Sequence, residues 1–187
     1  AEFQTDKTDI TKTRLVSAGE SVADFTLADG EILVAIERFA FTANNVTYGA
    51  IGEQIGYWQF FPADEPFGRI PVWGIGTVQE SKTEGVEVGA RYYGYFPMSA
   101  SLVVKPGKVG KHSFADHAEH RQELPPVYNQ YALMTDETGY PKAHDNYQIV
   151  YRPLFMTSFV IDDFFFDNDF FNGKQIVLSS ASSKTAF

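Results

Sequence analysis

Cysteine is absent from all 187 residues. That excludes a disulfide scaffold, a thiolate metal site and a cysteine nucleophile in one step. Basic residues are scarce: Lys+Arg number 15 against 24 Asp+Glu, a net charge of −9. A chain of that sign has no general affinity for nucleic-acid phosphates or an anionic membrane. No apolar run approaches the roughly 20 residues needed to span a bilayer, and no leader segment is recognisable. The expected compartment is the cytoplasm, with neither nucleic acid nor membrane as partner. No complete G-x-G-x-x-G or P-loop pattern is present. No Ser/His/Asp or paired-carboxylate spacing stands out, and no internal repeat is visible.

What is present is a packed domain. Hydrophobic residues make up 44% and aromatics 16% of the chain, a composition that buries a core. Residues 4–14 are polar and Thr-rich and read as an edge strand or an arm; Leu15-Val16-Ser17 reads as a short strand. Ala28-Asp29-Gly30 is a turn signal launching a strong strand over 31–41, with Ile32, Val34 and Ile36 on one face. Ile70 to Val78 is a second strand, broken by Gly74 and Gly76 at a bulge or close backbone approach. Turns at Ser81–Gly85 and Val86–Gly89 lead into Tyr92–Phe96; Pro97 interrupts, and Leu102-Val103-Val104 follows. Short strands at this spacing predict a bent, barrel-like antiparallel meander.

Between Gly49 and Arg69, glycine, proline and aromatics alternate. This segment is either an ordered loop or short helix lining a cleft, or an aromatic plug at one end of the barrel. A helix is expected over 113–123, stopped by Pro125-Pro126. Another is expected over 152–164, with Pro153 in its first turn. Ile176-Val177-Leu178 reads as an apolar strand of the parallel-sheet type. Among His112, His117, His120 and His144, the i,i+3 pair His117 and His120 lies near Glu123. Zinc requires three or four supported ligands, so solvated helix-face residues are the reading preferred here. The run Asp162–Asp169 lacks EF-hand spacing and glycine; its aromatics are expected inward and its carboxylates in water.

The order of these pieces carries a resemblance. P-V-x-G-x-G-x-V from Pro71, G-V-x-V-G-x-R from Gly85, Tyr93-Gly94-Tyr95 and Leu102-Val103-Val104-Lys105-Pro106 together resemble the catalytic domain of medium-chain dehydrogenases/reductases, nearest the zinc-independent quinone-oxidoreductase branch. The resemblance implies a mainly β, α+β fold: a GroES-like, partly open barrel with flanking helices, ending in the first strand of a truncated Rossmann unit. By that division, residues 1–13 are a flexible arm or an addition to the natural chain, 14–152 the barrel, and 153–187 the connecting helix and strand. The implied parent activity is NADP(H)-dependent reduction of a carbonyl or activated alkene without metal, with nicotinamide supplying hydride. NADP(H) is expected to bind a full-length relative rather than this chain.

Asn44 matches the asparagine of the superfamily's active-site loop, and with Tyr95 and Tyr128 forms the expected catalytic set. A tyrosine hydroxyl there would donate to a carbonyl oxygen gaining negative charge. Tyr48, Trp58, Asn129 and Tyr131 are the expected substrate contacts. Thr157, Ser180, Ser182, Ser183, Lys184 and Thr185 are the implied cofactor contacts, although their turn lacks the glycines that admit a pyrophosphate. The superfamily's Gly-His-Glu zinc segment is replaced by Trp73-Gly74-Ile75, so no metal is expected. The partners expected are a small-molecule substrate and further copies of the chain. The rival reading is a non-catalytic binding or assembly module on the same fold.

Overall fold

A computed structural model describes residues 1–17, 25–180, 182–183 and 185–186. Ten strands and three α-helices are described. The strands are β1 (Glu2–Asp6), β2 (Thr13–Val16), β3 (Ile32–Ala40), β4 (Phe67–Gly68), β5 (Pro71–Ser81), β6 (Arg91–Pro97), β7 (Ser101–Val104), β8 (Pro106–Gly107), β9 (Ser113–Asp116) and β10 (Gln130–Leu133). The helices are α1 (Ala43–Ala50), α2 (Gly52–Ile55) and α3 (Asp145–Asp167). Seven strands form one antiparallel sheet in the order β7-β3-β5-β6-β10-β9-β8. Its two edge strands, β7 and β8, are separated by Lys105 alone, so the sheet must curl until its edges meet. The result is the mainly β, nearly closed barrel with flanking helices that the sequence implied.

The long strands fall where their apolar runs place them. Ile32 and Val34 of β3 are fully buried with Val72, Val78, Phe96 and Tyr131 in the main core. Gly74 and Gly76 mark a close approach: a Cβ at Gly74 would stand 2.7 Å from the Arg38 carbonyl oxygen, and one at Gly76 2.9 Å from that of Ala35. Two bulges bend the pair: one at Ile36/Arg38 of β3, with Glu37 as its extra residue, lies opposite Gly76 and Ile75, and one opposite Leu33/Val34 has its extra residue, Gln79, on β5. Extra residues on one strand increase its twist and coil, and the glycines let the partner backbone follow.

Four expectations are corrected. The meander does not continue past β6: β7 crosses to pair with β3, and β6 takes β10 as its other neighbour. Residues 1–13 are not an arm, because β1 is seated in a second sheet, order β2-β1-β4, with Glu2, Gln4, Thr5 and Asp6 buried. Arg69 anchors this strand by an ion pair to Glu2 at 2.8 Å. The helix expected over 113–123 is β9 followed by a short 3-10 turn at Glu119–Arg121. Pairing of Ser113–Ala115 with β10 satisfies the backbone there, overriding local helix propensity.

The fourth concerns the C-terminal region. α3 begins seven residues earlier than expected, so Pro153 falls in its interior rather than its first turn. Proline lacks the N–H that would bond the Ile149 carbonyl. The helix survives because its first turns are fixed to the barrel, by Asp145 through ion pairs and by Ile149 through burial against Ile75, Tyr93 and Met134. Ile176–Leu178 is irregular and exposed, not a strand. A parallel-type strand needs hydrogen-bonded neighbours, and every strand pair described is antiparallel and elsewhere. Among the described residues, no helix is long and apolar enough to cross a membrane.

Candidate functional site

The fold leaves a cleft between the barrel wall at Trp73, the first turns of α1, and α3. A larger cavity of about 400 Å³ and a smaller one of about 260 Å³ share Asn44, Tyr48, Trp73, Pro153 and Leu154 as lining. Its walls are held in register by one charged network. Arg91 on β6 donates to Glu37 on β3 through Nε and Nη2, both at 2.8 Å, and through Nη2 to Asp145 at 2.6 Å. Arg38 lies 3.9 Å from Asp145 and donates to Asn146 at 3.1 Å. Two guanidiniums from the sheet thus hold the N-terminus of α3, where a carboxylate also suits the helix dipole.

Glu37 records the strength of that network. Arg91's hydrogen bonds, with help from the Thr77 hydroxyl, outweigh burial and hold the Glu37 carboxyl down at about 2, against an ordinary 4.5. A carboxyl depressed in the folded state stabilises it above the unfolded pKa and loses that contribution as pH falls through the folded one. Thermal unfolding of the wild type should therefore fall steeply between pH 4.5 and pH 2. Glu37→Gln should start lower at neutral pH and fall less across that window. Parallel pH profiles for the two proteins, followed by circular dichroism, would refute the assignment.

The tyrosines of the cleft form a connected group. Tyr48 stacks on Tyr57 at 4.5 Å between ring centroids, and the Tyr57 and Tyr128 hydroxyls are 2.6 Å apart. Tyr128 packs on Tyr95 at 4.8 Å, and Tyr95 on Trp73 at 4.9 Å. Trp73 in turn stacks on Tyr93 at 5.3 Å, nearly parallel. Burial raises the pKa values of Tyr48, Tyr57, Tyr93 and Tyr95; the Tyr128 hydroxyl raises Tyr57 further, while the Arg152 cation opposes the rise at Tyr93. These hydroxyls are neutral donors at physiological pH. They can donate to a carbonyl oxygen but not act as phenolate bases.

The residues singled out in the sequence divide between this cleft and the interior. Asn44, Tyr48 and Tyr128 line it, as do Thr157 in the larger cavity and Ser183 and Thr185 in the smaller. Asn44 is exposed because its neighbour Asn45 does the structural work: the Asn45 side chain accepts from the Thr42 N–H at 2.7 Å and donates to the Pro71 carbonyl at 2.9 Å. The Thr157 hydroxyl donates to the Pro153 carbonyl, and Ser158 ties the C-terminal turn to α3 by donating to the Thr185 carbonyl at 2.7 Å.

Others do not meet in the cleft. Tyr95 is fully buried beneath it, with no hydrogen-bond partner for its hydroxyl among the described residues. Trp58 is a core residue, its indole seated where Gly52 and Gly68 leave no Cβ in the way. The aromatic plug describes Trp58, Phe60 and Phe61 of the segment from Gly49 to Arg69, while its Tyr57 joins the cleft group by stacking on Tyr48. Asn129 and Tyr131 are buried around Arg121. Ser180 and Ser182 are exposed and line neither cavity; Lys184 lies outside the described residues. No three of the His, Asp and Glu side chains converge among the described residues; His117 packs over Gly107, and His120 meets the Phe60 carbonyl at 3.2 Å.

Trp73, Tyr93 and Arg152 line the larger cavity and were not predicted as site residues. Trp73 stands opposite Tyr95 in the β5–β6 register, so its ring meets that of Tyr93 diagonally, a juxtaposition set by register and barrel curvature. Arg152 carried one local signal, the adjacent proline, which speaks of backbone and not of chemistry.

No parallel β-α-β unit is formed among the described residues, and the sequence over 179–185 lacks the glycine spacing of a dinucleotide-binding turn. Fold and cleft define a mainly β barrel domain with an aromatic, hydroxyl-rich cavity under a long helix. A family model described as a protein of unknown function (DUF2855) matches residues 39–187, and the chain belongs to that family. None of the curated proteins compared with the chain matches it.

Proposed function

We propose that this chain is the acceptor-binding barrel of a metal-independent oxidoreductase acting on a carbonyl or activated alkene. One observation carries the reading. Asn44, Tyr48 and Tyr128, on the substrate side of the resemblance, open on the same cleft as Thr157, Ser183 and Thr185, on its cofactor side. A planar acceptor would lie in the aromatic cavity, its oxygen accepting from Tyr128, whose hydroxyl is already oriented by Tyr57. The apolar walls exclude water and strengthen that hydrogen bond.

Calorimetric titration tests this. Cinnamaldehyde and 1,4-naphthoquinone should give saturable heats, weakened several-fold by Tyr128→Phe, the scale of one neutral hydrogen bond. NADPH should give none at micromolar concentration. Absence of binding by both acceptors would end this reading; a micromolar NADPH constant would show that the chain does build a dinucleotide site.

The exposed apolar face of α3 favours a second reading, an assembly module. Phe155, Phe159 and Phe166 are 69%, 56% and 69% exposed, far from the burial that aromatics of this size ordinarily reach.

A further inference from the structure

Five of the six arginines have partners. Arg14 donates to Gln4, and Arg38, Arg69, Arg91 and Arg121 each face a carboxylate. Arg152 alone has neither a hydrogen bond nor an ion pair among the described residues, and its Nη1 is sequestered from solvent without an acceptor. Acidic residues outnumber basic ones by 24 to 15, so this is not for want of carboxylates. Glu137 borders the depression on which Arg152 also opens, yet makes no ion pair with it.

The guanidinium is nevertheless held in place. Its carbon lies 4.4 Å from the centroid of the Tyr93 ring and 4.6 Å from that of Tyr140. Ring faces attract the cation but accept none of its five N–H donors in the manner of an oxygen. An unpaired buried donor on a charged group is costly, and Arg152 lines the larger cavity, where no other cationic side chain is found among the described residues. A cation fixed in position with its donors free suits an incoming anion.

We infer that Arg152 is the specificity residue of the cleft and that the ligand is a planar, conjugated carboxylic acid, its carboxylate on Arg152 and its carbonyl or alkene toward Tyr128. This rests on the acceptor-binding reading and names its substrate class. One guanidinium fork matches one carboxylate in a bidentate pair, whereas a phosphate dianion calls for more donors than this cleft supplies. The near-parallel Trp73 and Tyr93 rings provide flat apolar wall between the two polar ends.

The experiment compares cinnamate, cinnamamide, cinnamaldehyde and phenyl phosphate by calorimetry on the full chain, as wild type, Arg152→Met and Arg152→Lys. Wild type should bind cinnamate about tenfold or more tighter than the isosteric amide, as charge-assisted pairing predicts, and added salt should erode that advantage. Arg152→Met should abolish it, bringing the cinnamate-to-cinnamamide affinity ratio to about one, and Arg152→Lys should keep part of it. Equal affinities for cinnamate and cinnamamide, with cinnamaldehyde still bound, would overturn this inference and leave the acceptor reading standing. Failure of all ligands would overturn both. Tighter binding of phenyl phosphate than of cinnamate would overturn the carboxylate assignment. Should Arg152→Met fail to fold, the cinnamate-to-cinnamamide ratio of the wild type and its salt dependence decide the matter alone.

Discussion

Arg121→Ala should cost about 3–5 kcal/mol of folding stability, the range seen when one partner of a buried ion pair is removed. Arg121 is fully buried. Its Nη1 donates to Asp116 at 3.0 Å and to the Tyr131 hydroxyl at 3.3 Å. Nε donates to Asn129 at 2.9 Å and Nη2 to the Tyr128 carbonyl at 2.6 Å. Deleting it leaves Asp116 buried with the Ala118 N–H as its remaining partner at 2.9 Å, and takes a donor from four acceptors at once. Domains are stable by only about 5–15 kcal/mol, so a large part of the margin disappears. Urea denaturation should show a strongly lowered midpoint. The double variant Arg121→Met/Asp116→Leu should recover much of the loss, because it removes the charge that the single variant leaves uncompensated. A single variant as stable as wild type would mean that the pair is not buried as described. The residue also bears on function: by holding the Tyr128 carbonyl and Asn129, it sets the segment that presents the Tyr128 ring to the cleft.

The second large effect is on assembly. In a purified sample the only cover available to the outer face of α3 is another copy of the chain, and we expect that face to associate. Phe155 and Phe159 lie one turn apart, with ring centroids 6.3 Å from each other. Ile176, Val177 and Leu178 add exposed apolar surface beyond the helix. Soluble monomers seldom leave contiguous apolar patches of more than a few hundred Å² uncovered. The net charge of −9 opposes association, but salt confines it to roughly 8 Å. Light scattering should find a species larger than the monomer that dissociates on dilution. Phe155→Asp/Phe159→Asp should shift that equilibrium toward monomer by more than about tenfold, given the area lost. A wild-type monomer that persists at high concentration would reject the prediction.

Much of the barrel was legible beforehand. Alternation in Ile32–Ile36 and glycines at 74 and 76 are local signals of strand and bend, because side-chain period and Cβ sterics act within one strand and its neighbour. The crossing of β7 to β3 was not legible, since strand order depends on how the sheet closes. Nor was β9: residues 113–116 become strand by pairing, not by propensity.

The candidate site was legible in part. Asn44, Tyr48 and Tyr128 were found from residue type and resemblance. Tyr95, Trp58, Asn129 and Tyr131 share those residue types but lie inside, and burial is a property of the whole fold. By itself the sequence determined the class of fold, the absence of thiol chemistry, the acidic charge and the supply of tyrosine hydroxyls, all set by composition and short-range pattern. Only the tertiary structure decided which hydroxyls reach the cleft, that Asp145 pins α3 across two arginines, and that Arg152 stands unpaired between two rings. Those are long-range juxtapositions, fixed by strand register and helix docking across separations of up to 108 positions, from Arg38 to Asn146.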